Sequence, residues 1–342
     1  GGNNVIEGNL AVQQGVLQLG QTSSGPVAGT LQLNDTATLD LRGAATAIGN
    51  LGGTQGLITN LSAGAGVLTV FGNQSTTFSG NITDGAGTTK LVKIGANTLT
   101  LSLLTAGNMN AGNNTFTGGV DIYAGVLLSQ NPLALGGFNN TTPGPVSLYG
   151  GQLTLQGNGG GPNGVIVYGN PNTLGLDLRI LGNATVSADR VNANAGNAIQ
   201  VNSLSVANST FTLSGANNYR LLVAGTTSIQ GNAAVFNLST AAPSGVLELA
   251  GPITDGAGTF ALNRTGGNAA GLIVISGTSN SYKGGTNLIS GGIQVTGTTG
   301  SPLGTGPLTV YPGGGNVLRL AGNGSIGGVS KFSVLSKPNE NG

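Results

Sequence analysis

The sequence contains no cysteine and no histidine among its 342 residues. Without cysteine the chain has neither a disulfide framework nor a thiolate nucleophile. Without histidine it lacks the commonest general base and the usual ligand of catalytic zinc. Large surface proteins that are exported unfolded often do without cysteine, so the composition favours an extracellular or cell-surface location.

Charge and aromatic rings are also scarce. Charged residues make up 6% of the chain, the formal net charge is +1, and aromatic residues total 4% with no tryptophan. Nucleic acid is therefore not an expected partner, because its binding needs a basic patch or rings that stack on bases. No stretch approaches the ~20 apolar residues of a membrane-spanning helix, so no transmembrane segment is expected. The opening GGNNVIEG has no basic and apolar leader, and we expect any export leader to have been removed.

Small residues and short apolar runs are abundant instead. Glycine occupies 65 positions, yet hydrophobic residues reach 38%, which is enough for a packed core. Alternating or apolar runs bounded by Gly, Asn or Asp predict strands, and no helical periodicity is sustained for a dozen residues. The runs lie at 31–33, 38–41, 67–71, 98–104, 120–123, 146–149, 152–156, 165–168, 176–180, 210–213, 246–249, 272–275, 293–295 and 308–310. The chain is therefore predicted to be all-β.

An internal duplication organises these strands. The hexapeptide ITDGAG occurs at 82–87 and at 253–258, an offset of 171 residues, which is half of the 342-residue chain. Repeated short strands punctuated by glycine are typical of a solenoid. We therefore expect one continuous β-solenoid over 1–342, duplicated as 1–171 and 172–342. At about 20 to 25 residues a turn it would have roughly 14 to 17 turns.

Two longer segments carry a family resemblance. The segment 114–137 reads N-x-[FY]-x-G-G-x-x-[IL]-x-x-G-x-[LI] followed by Pro-Leu and a glycine pair, and 280–306 repeats this pattern. Both segments resemble the autotransporter-associated β-strand repeat of bacterial passenger domains. The resemblance implies a right-handed parallel β-helix with short Gly/Asn-rich turns, exported to act as a stalk, adhesin or matrix component. The motifs of this family are structural, so the resemblance transfers no catalytic residue.

Candidate catalytic and charged residues are few. Asp177 with Arg179, on one strand face, and Asp189 with Arg190 are the candidates for a groove that cleaves polysaccharide, and surface ion pairs are the competing interpretation. Asp84 and Asp255, which occupy the same place in the two ITDGAG copies, fit a calcium corner less well than Asp-Gly turns. Lys90 and Lys93 could contact an anionic glycan, but we favour the interpretation that they are solvated edge residues that discourage stray strand pairing. No catalytic, cofactor or metal site is predicted.

Tyrosines offer a possible ligand surface, because they lie mainly at strand ends and could stack on sugar rings. Capping of the core is the alternative interpretation. The glycan-stacking candidates are Tyr123, Tyr149, Tyr168, Tyr282 and Tyr311.

The sequence therefore predicts a non-enzymatic extracellular structural protein, either a stalk or the subunit of a self-assembling fibre. No capping helix is predicted at either end, so like subunits docked end to end are the expected partners. Two alternatives remain open: an adhesin that binds surface glycans or host proteins, and a polysaccharide lyase or hydrolase.

Overall fold

The chain is an all-β parallel solenoid, as predicted, and it has about 11 turns. This architecture comes from a computed structural model, which describes residues 5–19, 27–102, 114–137, 141–158, 164–170, 172–173, 175–192, 196–238, 245–267, 271–313, 315–322 and 324–335. Within these ranges the regular elements are strands, and their pairing is parallel.

The strands follow one another at short intervals. The first thirteen are β1 (Leu10–Gln18), β2 (Val27–Asp40), β3 (Ala45–Gly52), β4 (Leu57–Thr59), β5 (Ala65–Val70), β6 (Thr76–Phe78), β7 (Asn81–Ile82), β8 (Thr88–Lys93), β9 (Thr98–Leu101), β10 (Val120–Ile122), β11 (Val126–Ser129), β12 (Val146–Leu148) and β13 (Gln152–Gln156). The next nine are β14 (Val165–Val167), β15 (Asp177–Ile180), β16 (Ala184–Asp189), β17 (Ala198–Val201), β18 (Ser203–Val206), β19 (Thr210–Gly215), β20 (Arg220–Val223), β21 (Thr227–Ile229) and β22 (Val235–Leu238). The last nine are β23 (Val246–Leu249), β24 (Ile253–Thr254), β25 (Leu262–Thr265), β26 (Leu272–Ile275), β27 (Thr286–Leu288), β28 (Gly292–Val295), β29 (Leu308–Val310), β30 (Val317–Leu320) and β31 (Phe332–Val334).

Two compact units divide the chain. Unit 1 comprises 1–157 with 167–177, and unit 2 comprises 158–166 with 178–342. In unit 1 one sheet has the order β12-β10-β8-β5-β3-β2-β4-β7, with β1 beside β2, and a second has the order β13-β11-β9-β6. In unit 2 three sheets have the orders β24-β21-β18, β31-β29-β27-β25-β22-β19-β16 and β17-β20-β23-β26-β28-β30. A single continuous body over 1–342 stays a prediction.

The number of turns is smaller than the sequence predicted. Residues paired one turn apart are separated by 20 positions from Ile273 to Ile293, but by 29 positions from Leu91 to Val120. The number of residues in a turn therefore varies along the chain, and no strand pattern reveals it. The prediction of about 14 to 17 turns was therefore wrong, because it assigned each turn too few residues.

Stacked aliphatic side chains form the core. In unit 2 one ladder consists of Ile199, Leu221, Leu247, Ile273 and Ile293, which are register partners in successive turns and have no solvent exposure. Burying one such side chain contributes about 1.5–3 kcal/mol. Alternate residues of each strand point inward because the side-chain period is two, so every turn adds to the ladders of the turns beside it.

The glycine pairs of the two resembling segments lie where neighbouring turns approach most closely. Gly119 and Gly285 have φ of +79° and +90°, in the left-handed region that favours glycine. A Cβ at Gly119 would lie 2.6 Å from the carbonyl oxygen of Pro145, and one at Gly285 would lie 2.2 Å from that of Pro307. Both pairs are therefore required by backbone packing.

Candidate functional site

Two of the five glycan-stacking candidates lie inside the core. Tyr168 and Tyr282 have no exposed surface, so neither ring can contact a ligand, and their assignment to a glycan surface was wrong. The Tyr168 hydroxyl lies 3.0 Å from the Ser129 carbonyl oxygen and 2.5 Å from that of Gln156, while the Tyr282 hydroxyl pairs with Thr286 Oγ1 at 2.6 Å. Burial raises the pKa of both tyrosines. Their phenols cap the core, which was the alternative interpretation.

The other three candidates are exposed. Tyr123, Tyr149 and Tyr311 have 46%, 42% and 37% of their surface accessible, so they can meet a ligand. Tyr123 and Tyr149 stack on each other, with ring centroids 4.5 Å apart and an angle of 4° between the planes. Burial, followed by the neighbouring Tyr149 and the negative charge of Asp121, raises the pKa of Tyr123.

The stacked pair belongs to a column of apolar and aromatic side chains in unit 1. Each of its four members directly follows a strand: Phe71 follows β5, Ile94 follows β8, Tyr123 follows β10 and Tyr149 follows β12. The backbone N–H of each member donates to a carbonyl oxygen of the preceding turn. We call these four residues the corner column. Because Tyr123 and Tyr149 cover one face of each other's ring, the pair offers mainly ring edges and hydroxyls to solvent.

The first ITDGAG copy forms a carboxylate clamp. The Oδ1 of Asp84 accepts the backbone N–H of Thr89 at 2.6 Å. Its Oδ2 accepts the backbone N–H of Thr117, at 3.1 Å, and the Thr117 hydroxyl, at 2.6 Å. The carboxylate thus joins its own turn to the next one, and its described contacts are to groups of the chain itself.

The second copy repeats the clamp with a different partner. The Oδ2 of Asp255 accepts the backbone N–H groups of Phe260, at 3.1 Å, and Lys283, at 2.8 Å. The ammonium of Lys283 lies 3.6 Å from Oδ1 of Asp255, whose side chain is 1% exposed. Lys283 occupies the motif position of Thr117, so a cation of the chain itself lies where the calcium interpretation would need a metal ion.

The two lysines that follow the first clamp differ from each other. Lys90 is part-exposed and pairs with Asp121 at 2.7 Å, which is compatible with its position on an outward face. Lys93 is fully buried, and its ammonium donates to the carbonyl oxygens of Gly95 and Ala124. Burial lowers the pKa of Lys93 to about 8. The prediction of a solvated edge was therefore wrong for Lys93.

Unit 2 contains a similar buried cation that the sequence analysis missed. Arg264 has no exposed surface and lies at an inward position of β25, two residues after the buried Leu262. Burial lowers its pKa to about 10. Period-two alternation could have revealed it, since residue 264 shares the face of residue 262. Its guanidinium donates to four backbone carbonyls, those of Thr265, Gly266, Gly271 and Gly292.

The candidate catalytic acids are not grouped. Asp177 and Arg179 share the outward face of β15, as predicted, with Asp177 half-buried and Arg179 exposed. Asp189 accepts hydrogen bonds from the backbone N–H of Arg190, at 2.8 Å, and from the amide of Asn217, at 2.6 Å. Across the described residues, no group of three or more Asp, Glu, His or Cys could hold a metal ion.

Among the described residues, an open groove lies on an outward sheet face in each unit. The groove in unit 1 is lined by Asp35, Thr36, Ala37, Thr38, Gln55, Gly56, Leu57 and Asn81. The groove in unit 2 is lined by Arg179, Leu181, Ser203, Leu204, Ser205, Thr226, Ser228 and Gln230. The first lining includes one carboxylate and the second none, so neither presents the pair of facing carboxylates that glycoside hydrolysis requires.

No family model, curated protein or solved structure matches this chain. The resemblance to the autotransporter-associated repeat therefore stays a prediction. In the described part of the chain, no helix has the length and apolar character to cross a membrane.

Proposed function

We propose that this chain is a non-enzymatic structural scaffold, a stalk or fibre component outside the cell. One observation carries the proposal: the buried and half-buried charged groups described above bond to neighbouring turns. Asp84 and Asp255 clamp successive turns, and Lys93 and Arg264 donate to corner carbonyls. These groups hold the stack of turns together, which is the requirement of a scaffold.

The enzymatic alternative has less support. A lyase or hydrolase on this fold needs several acids that converge on one groove. The two described grooves contain a single carboxylate, that of Asp35. Asp84, Asp189 and Asp255 accept hydrogen bonds within the chain, and Asp121 pairs with Lys90.

Immunogold electron microscopy of the source cells tests the scaffold proposal. Antibodies to the purified chain should label fibres or a layer at the cell surface, and protease treatment of intact cells should remove the label. Label confined to the cell interior would contradict the proposal. So would depolymerisation of a polysaccharide by the purified chain, measured as newly formed reducing ends or unsaturated products.

Exposed apolar side chains support association of like subunits. Val16 on β1 is 60% exposed, and Phe332 and Val334 on β31 are 51% and 67% exposed. Another copy docked on β31 would cover Phe332 and Val334. Sedimentation at micromolar concentration should therefore show species larger than a monomer, and Val334→Asp should shift them toward monomer. A monomeric wild-type chain would contradict the association.

An adhesin is the second candidate, and the exposed Tyr123–Tyr149 pair is the observation that favours it. Because this pair presents edges and hydroxyls, the double variant Tyr123→Phe/Tyr149→Phe keeps the stack but removes the hydroxyls. Glycan-array binding should weaken in this variant and persist in the control Tyr311→Phe. Equal binding by all three proteins would exclude the pair as an adhesion site.

A further inference from the structure

The groove in unit 2, defined above by its eight lining residues, is a depression of about 410 Å³ on an outward sheet face. That volume lies within the range of ligand pockets. Short Ser and Thr side chains lie among the longer Arg179, Leu181 and Gln230, and this difference in length makes the face concave.

The hydroxyls of the groove form a regular grid. Ser205 and Ser228 are register partners on β18 and β21, and Ser203 lies opposite Thr226 in the same register. Partners in adjacent parallel strands are about 4.8 Å apart, and alternate residues of one strand are about 6.6 Å apart. Ser205 also contacts Gln230, with 3.2 Å between Oγ and Oε1. The grid therefore offers donors and acceptors at fixed spacings.

Arg179 lies in the column of Ser205 and Ser228. The N–H of Ala207 donates to the Ile180 carbonyl at 2.9 Å, which places Arg179 opposite Ser205. Arg179 is exposed, and Asp177 lies two positions before it on the same face of β15. Among the eight residues that line the groove, Arg179 carries the one charge. A guanidinium beside neutral hydroxyls is suited to an anionic group on a polar ligand.

We propose that this groove binds an anionic polysaccharide, with Arg179 on a carboxylate or sulfate group and the hydroxyl grid on the neighbouring sugar. A peptide would need a free strand edge or an apolar pocket, whereas the strands beneath this face are paired on both sides. Single-stranded nucleic acid would need aromatic stacking platforms and several cations, and the lining has one cation and no aromatic ring. The proposal does not depend on the scaffold function, so its failure would leave that function untouched.

Binding to immobilised polymers tests the proposal, with polygalacturonate as the carboxylated probe, dextran sulfate as the sulfated probe and dextran as the neutral one. The wild-type chain should bind at least one anionic polymer and bind dextran weakly, and added salt should weaken the anionic binding. Preference for one anionic probe identifies the carboxylate or the sulfate as the recognised group. The proposal is overturned if no anionic polymer binds or if dextran binds as tightly.

Variants assign the binding to the groove. Arg179→Ala should weaken anionic binding about tenfold, the usual effect of losing a hydrogen bond to a charged group. Arg319→Ala is the matched control, because Arg319 is also an exposed strand arginine of unit 2 and its loss changes the net charge equally. Ser205→Leu fills the groove without a change of charge and should also weaken binding. Equal affinities for Arg179→Ala and Arg319→Ala would show nonspecific attraction and refute the site, and circular dichroism verifies that each variant folds.

Discussion

The buried ammonium of Lys93 makes stability depend on pH in an unusual direction. Its pKa falls from 10.5 to about 8 on folding, because burial disfavours the charged form. Between those values the unfolded chain binds more protons than the folded chain, so the free energy of unfolding rises with pH. The destabilisation is complete below pH 8 and is relieved as the pH approaches 10.5.

The magnitude follows from the shift. One pKa unit corresponds to about 1.4 kcal/mol, so Lys93 destabilises the fold by about 3 kcal/mol at neutral pH. Raising the pH from 7.5 to 9.5 should recover about 2 kcal/mol of this. The window avoids Tyr168 and Tyr282, whose raised pKa values reduce stability only above about pH 10.

Urea unfolding followed by far-ultraviolet circular dichroism measures the effect. The variant Lys93→Met keeps the length of the side chain but cannot titrate, so it should lack the 2 kcal/mol gain between pH 7.5 and 9.5. Lys90→Met, which removes a part-exposed lysine three positions before the inward Lys93 on β8, is the control and should keep the gain. If the free energy of unfolding changed with pH by the same amount in the wild type and in Lys93→Met, the reasoning would be refuted.

Three further predictions concern packing and turns. Gly285→Ala should lower the free energy of unfolding by more than about 2 kcal/mol, because the added Cβ would clash with backbone atoms. Gly256 also has a positive φ, +58°, but open space around it, so Gly256→Ala should lower it by about 1 kcal/mol. Thermal unfolding compares the two variants. Asp84→Ala should destabilise by about 2–4 kcal/mol in urea titrations, because it leaves part-buried N–H groups of two turns without their acceptor. Leu247→Ala should lower the free energy of unfolding by about 2–5 kcal/mol, because Leu247 belongs to the buried ladder. Leu320 is 51% exposed, so Leu320→Ala should lower it by under about 1 kcal/mol. Similar losses for both variants would contradict the claim that the buried ladder stabilises the fold.

The sequence predicted strand positions correctly where apolar and polar residues alternate strongly and glycine lies beside the run. The runs at 152–156, 246–249, 272–275 and 308–310 coincide with β13, β23, β26 and β29. Strands such as β18 and β21 were missed because they are only four and three residues long, and because a polar residue, Thr227, occupies an inward position of β21. Whether such a segment forms a strand depends on how its turn packs against the neighbouring turns, and no local sequence pattern shows this packing.

The prediction that Lys93 is solvated was wrong because it was based on the charge of the side chain and not on its position in the strand. Residues 89, 91 and 93 share one face of β8, and Leu91 of that face is buried. To move Lys93 into solvent, β8 would have to shift its register by one residue, and this shift would also expose Leu91. The register that buries Leu91 therefore also buries Lys93. Corner carbonyls then satisfy the ammonium, and their position depends on tertiary structure.

The stacked tyrosines and the groove differ in how far they could be predicted. The runs VDIY and VSLY both end in tyrosine, so strand register alone would place Tyr123 beside Tyr149. The groove could not be foreseen, because it depends on which turns are adjacent. Register brings Arg179, Ser205 and Ser228 into one column across three separate strands.

Disulfide trapping tests the in-register parallel stacking most directly, because the chain has no cysteine of its own. Thr185 and Thr212 are register partners in adjacent turns of unit 2, and Asn237 is the partner of Thr212 one turn further on. Adjacent partners are about 4.8 Å apart, within disulfide range, whereas partners two turns apart lie about 9.6 Å apart, outside it. Mild oxidation should therefore close an intramolecular disulfide in Thr185→Cys/Thr212→Cys and none in Thr185→Cys/Asn237→Cys. Efficient closure of the second pair, or failure of the first in a folded protein, would contradict the stacking.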